Sequence, residues 1–233
     1  MFKFTVAVLA FAVFVSCNPK LSNGLRKNDL SKDVEIVTDK GNIIIRLSDS
    51  TPLHRDNFLK LAKQGYYDSV LFHRVIKNFM IQTGDPDSKH AVAGAELGNG
   101  GPAYTLPAEF STSLFHQKGA VAAAREGDDV NPKKASSASQ FYIVQGKTFT
   151  DAGLDSLETN RMKGRKIPLA QRQVYKTLGG APHLDQNYTV FGVVISGLPV
   201  VDSIAASPTS GRPFDRPLQD IRILKMQLVK RVK

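Results

Sequence analysis

A succession of short, strand-like segments, separated by loops rich in glycine and proline, constrains the fold of this chain more than any other feature. Residues 34–38 and 43–47 alternate apolar and polar side chains on either side of a turn at 39–42, which is the pattern of a β-hairpin. Comparable segments follow at 67–74, 79–83, 120–124, 140–144, 189–194 and 221–229. So many short strands predict a mainly β fold, with an antiparallel sheet closed or nearly closed into a barrel.

Two short helices are predicted between these strands. Thr51 is a suitable N-cap and Pro52 suits the first helical position, and an apolar stripe over residues 58–62 precedes Gly65, which ends the helix. A second helix is expected to begin at Pro199 and to run to about residue 205. With 233 residues, the chain is long enough to build one sizeable core around such a sheet.

Residues 1–16 differ in character from the rest of the chain. Lys3 is their only charged residue, and residues 6–15 form an apolar run that ends just before Ser16. This layout is that of a secretory signal peptide, and the run is too short to span a bilayer. Cys17 follows directly and is the only cysteine, so it has no disulfide partner within the chain.

Residues 14–17, Phe-Val-Ser-Cys, resemble a bacterial lipoprotein signal, in which the cysteine becomes the lipid-bearing first residue of the mature protein. Leucine is usual where Phe14 stands. The resemblance implies a lipid on Cys17 and a location in the bacterial cell envelope, anchored to the inner or outer membrane and facing the periplasm. We expect the polar residues 17–32 to form a flexible tether. An ordinary signal peptide, or an uncleaved anchor with an incidental cysteine, is the alternative.

Four segments further along the chain carry the most specific pattern. They are FHRVIKNFMIQTGD at 72–85, GAVAAA at 119–124, SQFYI at 139–143 and LDQNYTVFG at 184–192. In this order they resemble the cyclophilin-type peptidyl-prolyl cis/trans isomerases, and the resemblance covers residues 34–229 apart from one insertion. It implies a closed eight-stranded antiparallel barrel capped by two α-helices, in an isomerase domain over 33–231 with the insertion at 147–181.

Such an enzyme would accelerate rotation about X-Pro bonds in exported proteins and so assist their folding. The peptide bond resists rotation by about 18–20 kcal/mol, and a catalyst must stabilise the twisted amide. Rotation breaks no covalent bond, and we expect no cofactor. The expected partners are proline-containing peptides and unfolded or folding exported proteins. We also expect a monomer.

Arg74 is the first candidate for the catalytic group. A guanidinium is permanently charged and offers a planar fork of donors to a carbonyl oxygen or to the proline nitrogen. From the residue type alone, an arginine in a strand is more often a surface ion-pair partner. The resemblance implies instead that Arg74 drives rotation and that Gln82 bonds the substrate backbone and orients the arginine.

The resemblance also implies a substrate-binding set around Arg74. The apolar pocket for the proline ring comprises Phe79, Met80, Tyr142, Leu184 and Phe191, with a structural role as the alternative for Phe191. Ala124 and Arg125 lie in the stretch that pairs with an extended peptide, and Gln140, His183 and Tyr188 complete the set. Arg125 replaces the usual asparagine. His183 replaces the tryptophan of drug-sensitive members, so we expect weak cyclosporin binding.

The insertion at 147–181 combines apolar residues with an excess of basic over acidic ones. This composition predicts one or two amphipathic helices, the second beginning at Pro168. The insertion can pack on the barrel, grip client proteins or contact lipid, and the sequence leaves these alternatives open.

Other functions are less compatible with the sequence. The formal net charge is +10, but the basic residues are scattered and no nucleic-acid-binding module accompanies them. The five histidines lack paired metal-ligand spacing, and the glycine-rich residues 98–101 lack the lysine of a phosphate-binding loop. We therefore expect no metal site and no nucleic-acid partner. A noncatalytic module that uses the same groove to hold proline-containing partners remains the alternative to an enzyme.

Overall fold

The computed structural model describes residues 24–231, in which ten strands and four α-helices are assigned. The strands are β1 (Asp33–Thr38), β2 (Gly41–Leu47), β3 (Arg74–Ile76), β4 (Met80–Thr83), β5 (Thr105–Leu106), β6 (Ala120–Ala123), β7 (Ser136–Ser137), β8 (Phe141–Val144), β9 (Val190–Ser196) and β10 (Ile223–Val229). The α-helices are α1 (Pro52–Lys63), α2 (Asp151–Asn160), α3 (Leu169–Thr177) and α4 (Leu198–Ala205). Three 3₁₀ helices cover Lys27–Ser31, Pro86–His90 and Pro182–Leu184.

Eight of the strands form one antiparallel sheet in the order β10-β1-β2-β9-β6-β8-β4-β3, while β5 and β7 form a separate pair. The prediction of a closed barrel is wrong, because the edge strands β3 and β10 do not pair and the sheet is a half-barrel. Hydrogen bonds from Ser69 N–H to Ile223 O (2.7 Å) and from Phe72 N–H to Ile221 O (2.9 Å) partly bridge the gap. Leu71 and Arg222 form an isolated antiparallel bridge there, which does not extend into a ladder.

The two faces of the sheet pack against different partners. Apolar residues on the inner face join those of α1 and α4 in the main core, at whose centre the ring of Phe58 lies 5.0 Å from Phe141, 5.1 Å from Tyr67 and 5.4 Å from Phe191. Helix α1 follows Thr51 as predicted, and α4 begins one residue before Pro199. The outer face near β4, β6 and β8 carries a second, smaller cluster.

The insertion contains two helices, α2 and α3, as predicted, with Pro168 as the N-cap of α3. Leu154, Met162, Ile167 and Tyr175 are buried between them, against Phe115 and Phe149. Glu158, also buried, accepts hydrogen bonds from Lys166 (2.8 Å) and Arg172 (3.0 Å). Of the three alternatives for the insertion, packing against the rest of the domain is the one observed.

The folded domain begins before residue 33. The prediction of a flexible tether that extends to residue 32 is wrong for its last part, because the side chain of Leu25 is fully buried in the main core. Asp29 in the 3₁₀ helix accepts a hydrogen bond of 2.6 Å from Lys63 of α1. The signal peptide, Cys17 and the start of the tether lie outside the described residues. From residue 24 to residue 231, no helix is long and apolar enough to cross a membrane.

Candidate active site

A groove of about 280 Å³ opens on the outer face of the sheet. Successive side chains along each strand point to opposite faces of the sheet. On the outer face lie Met80, Ala122 and Tyr142. Their neighbours Ile81, Val121 and Phe141 face the main core. The outward positions of β6 and of the residue after it are alanines at 120, 122 and 124, whose small side chains leave the surface concave. The alternation therefore creates the groove at the edge of a well-packed sheet.

Arg74 and Gln82 occupy one side of this groove. They are directly opposed across β3 and β4, and Arg74 Nη1 donates to Gln82 Oε1 at 3.4 Å. Gln82 Nε2 donates to Gln140 Oε1 at 3.3 Å, and Gln140 Nε2 in turn donates to the main-chain oxygens of residues 98 and 100. The Arg74 side chain is 41% exposed, and its nearest carboxylate, Asp215, is 4.0 Å away. Most of its five N–H donors therefore face the groove or solvent without a protein partner among residues 24–231.

The apolar part of the groove is formed by Phe79, Met80, Tyr142 and Leu184. The Phe79 ring stacks on His183, with 5.5 Å between ring centres and an angle of 27°. His183 thus supports Phe79 from behind and does not line the groove itself. Burial lowers the pKa of His183 to about 4, with the positive charge of Arg161 adding to the effect. The support for this wall is consequently uncharged at neutral pH.

The hydroxyl of Tyr142 points away from the groove into a buried network. It lies 2.9 Å from His116 Nε2, and His116 Nδ1 lies 2.8 Å from Asp185 Oδ1. The other oxygen of Asp185 accepts a hydrogen bond of 2.6 Å from the hydroxyl of Tyr175, in helix α3 of the insertion. All four side chains are buried. The insertion is therefore connected to the groove floor through hydrogen bonds.

Arg125 contributes its main chain to the groove. Both main-chain groups of Ala124 are used within the fold, since its N–H donates to Gln140 O and its oxygen accepts from Ser137 N–H. The N–H and C=O of Arg125 have no partner within the described part of the chain. Its side chain lies over the Tyr188 ring, 4.5 Å from the ring centre, and donates to Asn187 O at 2.7 Å. Of the predicted pair, only Arg125 has free main-chain groups.

A match to a known protein family identifies the family of this chain. Residues 33–228 match the family model described as "Cyclophilin type peptidyl-prolyl cis-trans isomerase/CLD". The chain belongs to this family. The resemblance seen in the sequence motifs and the predicted enzyme class, a peptidyl-prolyl cis-trans isomerase, are both confirmed.

Individual relatives agree with the family match. Proteins from Staphylococcus haemolyticus and Staphylococcus saprophyticus, each named "Putative peptidyl-prolyl cis-trans isomerase", are 35% identical to this cyclophilin. The alignments cover 88% and 91% of this chain and 94% and 98% of the relatives. A Cryptosporidium parvum cyclophilin-type isomerase has the same fold, with a TM-score of 0.61 and 23% identity over 86% of this chain and 99% of that one. A second structure of that protein, determined in the presence of the dipeptide Ala-Pro, has a TM-score of 0.60 and the same identity, over 85% of this chain and 99% of that one.

The assignment of Phe191 to the proline pocket is wrong for this cyclophilin. Phe191 lies on the inner face of β9 and packs in the main core, whereas its neighbour Val190 joins the outer cluster. The ring centre of His54 is 5.9 Å from that of Phe191, on the side away from the groove. The alternation of strand residues places positions 190 and 191 on opposite faces, so only one of them can face the groove.

Part of the groove comes from loops that the sequence motifs did not identify. Leu97 and Gly98 line it from one loop, and Pro213 and Phe214 line it from another. Arg216 joins the two loops, because its guanidinium donates to the main-chain oxygens of residues 92 and 95. Phe214 is 49% exposed, and the sequence around it carries no motif that points to this wall.

Proposed function

We propose that Arg74 is the catalytic group of this cyclophilin and that its substrates are proline-containing segments bound in the groove. The observation that carries the proposal is the incomplete pairing of Arg74, which is 41% exposed and has one hydrogen bond of 3.4 Å to Gln82. An arginine held mainly for structure would have its donors occupied. Arg74 keeps most of its donors free and lines a groove whose other part is apolar.

The chemistry follows from the amide. Twisting the X-Pro bond removes its conjugation, so the proline nitrogen becomes pyramidal and a better hydrogen-bond acceptor. The guanidinium of Arg74 can donate to that nitrogen or to the carbonyl oxygen, and the bond is stronger in the twisted state than in either planar isomer. Each 1.36 kcal/mol of this selective stabilisation accelerates the rotation about tenfold.

The remaining groove residues have binding roles in this proposal. Phe79, Met80, Tyr142 and Leu184 enclose the proline ring, which is compact and apolar. The free N–H and C=O of Arg125 pair with the extended main chain of the substrate beside the proline. Gln82, linked to Gln140, holds Arg74 and bonds the substrate backbone.

The rate at which the Arg74→Ala variant isomerises an X-Pro peptide tests the catalytic role. We expect kcat/KM to fall at least tenfold with an unchanged circular dichroism spectrum, because the side chain contributes little to packing. Lys77→Ala removes an exposed cation three positions along the chain and serves as the matched control, with kcat/KM within twofold of the parent. Equal activities of Arg74→Ala and the parent would refute the catalytic role.

We also propose that the enzyme acts on exported proteins from the outer side of a bacterial membrane, attached through a lipid on Cys17. The support is the sequence of residues 1–17, a signal-like segment followed directly by the only cysteine. Slow proline isomerisation limits the folding of many chains, and unfolded exported chains would benefit from a catalyst close to their site of emergence.

Metabolic labelling with a fatty acid tests the lipid attachment. The full chain, produced in a bacterium with labelled palmitate, should carry the label and partition with membranes, whereas Cys17→Ser should carry none. An unlabelled, shortened product from the parent would indicate an ordinary signal peptide. An unlabelled, full-length membrane product would indicate an uncleaved anchor.

A further inference from the structure

A second depression lies next to the groove and is formed partly by the insertion. It encloses about 380 Å³ between the loop that contains Arg125, the turn after α2, and the segment that contains His183 and Tyr188. Arg125 and Tyr188 line both this depression and the groove. The two depressions therefore adjoin at Arg125 and Tyr188, so an extended peptide bound in the groove can place a neighbouring side chain in the second one. We call this depression the basic cleft.

The cleft is lined by five cations, Arg125, Lys134, Arg161, Lys163 and Arg165, and by one carboxylate, Asp128. Asp128 is already engaged by Arg125 at 2.7 Å and by Lys134 at 3.9 Å. Arg161 and Lys163 are exposed, and neither has an ion pair with any carboxylate among residues 24–231. Arg165 bonds only the main-chain oxygen of Asp185. The cleft thus has an uncompensated positive charge.

The positive charge of the cleft lowers the pKa of two groups in it. The pKa of Asp128 is lowered, first by its hydrogen bond to Arg125 and also by the charges of Lys134 and Lys163. The pKa of His183 is lowered mainly by burial, and the charge of Arg161 lowers it further. A negative group that entered the cleft would therefore be stabilised from both sides.

The turn that supplies the free cations is held in a defined shape. The N–H of Arg161 donates to Leu157 O, that of Gly164 to Glu158 O and that of Arg165 to Met162 O, all between 2.8 and 3.0 Å. The Met162 side chain is buried in the cluster within the insertion. Lys163 has a φ of 53°, which an L-residue adopts only at some cost. The fold thus maintains a strained turn that presents two unpaired cations beside the groove.

We propose that the basic cleft binds an acidic side chain of the client, aspartate or glutamate, within a few residues of the proline held in the groove. The proposal rests on the function proposed above, since the groove must hold an extended peptide. An acidic client segment fits better than an anionic membrane surface, because the cleft is concave and shares Arg125 and Tyr188 with the peptide groove.

Peptide series measure this preference directly. Each of four peptide sets varies one position: the second or the third residue before the proline, or the second or the third residue after it. Within a set, that position is Ala, Gln, Glu or Lys, and kcat/KM is measured with the full chain at low salt. We expect glutamate at one or more positions to be preferred over glutamine about three- to tenfold, in keeping with exposed pairs to two cations. The preference should fade as the salt concentration rises.

The double variant Arg161→Gln/Lys163→Gln should lose the preference for glutamate, and its kcat/KM for the alanine peptide should equal that of the parent. Lys27→Gln/Lys40→Gln removes two exposed cations on residues that line neither depression, and it should retain the preference. A glutamate preference that is absent from the parent, or that survives in the Arg161/Lys163 variant, would overturn the proposal. Binding of the parent to anionic vesicles that is lost in this variant, without a glutamate preference, would assign the cleft to lipid instead.

The same measurements distinguish a failure of the cleft proposal from a failure of the groove proposal. If the alanine peptide is isomerised but glutamate gives no advantage, the cleft proposal fails and the groove proposal stands. If no peptide is isomerised, the proposed catalytic role fails, and binding of the same labelled peptides by fluorescence anisotropy then decides the cleft. Tighter binding of glutamate peptides that requires Arg161 and Lys163 would support it, and equal binding of all peptides would refute it.

Discussion

The two arginines on opposite sides of the groove are held in very different ways. Arg74 is 41% exposed and has one long hydrogen bond, to Gln82. The side chain of Arg125 is 4% exposed and its guanidinium bonds Asn187 O, Glu126 O and Asp128. A guanidinium with a partner for each of its three nitrogens, as in Arg125, fixes the shape of a wall, whereas one with mostly free donors, as in Arg74, can bind a substrate. The same residue type therefore has two functions, which are distinguished by its partners.

The difference extends to the regions around the two arginines. The Arg125 side adjoins the insertion, in which buried Glu158 accepts several hydrogen bonds, and Asp185, just after the insertion, does the same. The Arg74 side consists of two short strands and of loops that Arg216 ties together. We expect substitutions on the insertion side to reduce stability and those on the Arg74 side to reduce activity.

Asp185→Ala should produce the largest loss of stability. It leaves three donors without their acceptor, namely the N–H and Nδ1 of His116 and the hydroxyl of Tyr175. An unsatisfied buried group costs about 1–3 kcal/mol, so we expect the free energy of unfolding to fall by about 4 kcal/mol after partial relaxation. Urea unfolding measures this loss.

Tyr175→Phe, which removes only the hydroxyl contributed by the insertion, is the graded control for this prediction. It should lower the free energy of unfolding by about 1 kcal/mol. If both variants were as stable as the parent, the buried network would not be what holds the insertion to the domain, and the comparison between the two sides would fail.

Stability should also depend on pH through His183 on the insertion side. Its pKa is lowered by burial from the ordinary value of 6.5 to about 4, so between these values the unfolded chain binds a proton that the folded chain does not. The free energy of unfolding should therefore fall as the pH drops from 6.5 to 4, with a contribution of about 2–3 kcal/mol from His183. Unfolding at a series of pH values measures the slope.

His183→Gln should flatten that slope, and the substitution of an exposed histidine, His90→Gln, should leave it unchanged. His73, whose pKa burial also lowers to about 4, accounts for part of the remaining slope in the variant. A His183→Gln protein with the full slope of the parent would show that His183 is protonated to the same extent in both states, in contradiction to its burial.

Phe191→Leu and Phe79→Leu compare the same substitution in the core and in the groove. Phe191 lies in the main core and Phe79 lines the groove. Phe191→Leu should lower the free energy of unfolding by about 1–2 kcal/mol and leave kcat/KM within threefold. Phe79→Leu should reduce kcat/KM by more than threefold with a smaller loss of stability. The opposite pattern would return Phe191 to the substrate pocket.

The sequence predicts most strands of the main sheet, the helices and most of the groove because these depend on local periodicity and on short motifs. The strand predicted at 67–74 is wrong, since these residues form turn and loop up to residue 73 and β3 covers Arg74–Ile76. Helix α1 follows from Thr51 and Pro52, and Arg74 and Gln82 lie together as the motif implies. Phe191 was assigned to the wrong face although the alternation of strand β9 carries the information, since positions 190 and 191 cannot share a face.

Other features depend on tertiary contacts and have no local signal. The open edge of the sheet depends on how residues 69–72 lie against residues 221–223, and the burial of Leu25 depends on a core formed by residues that are distant in the sequence. The position of Arg161 and Lys163 beside the groove depends on how the insertion docks. The sequence shows the excess of basic residues in the insertion but not the surface on which they converge.

The most direct test of the account is the isomerisation rate of Arg74→Lys beside that of Arg125→Lys, with an alanine-containing X-Pro peptide. Lysine keeps the charge and removes the planar fork of donors. We predict that Arg74→Lys lowers kcat/KM at least tenfold, while Arg125→Lys stays within threefold of the parent, because only the main chain of Arg125 contacts the substrate. Full activity of Arg74→Lys together with a large loss in Arg125→Lys would contradict it.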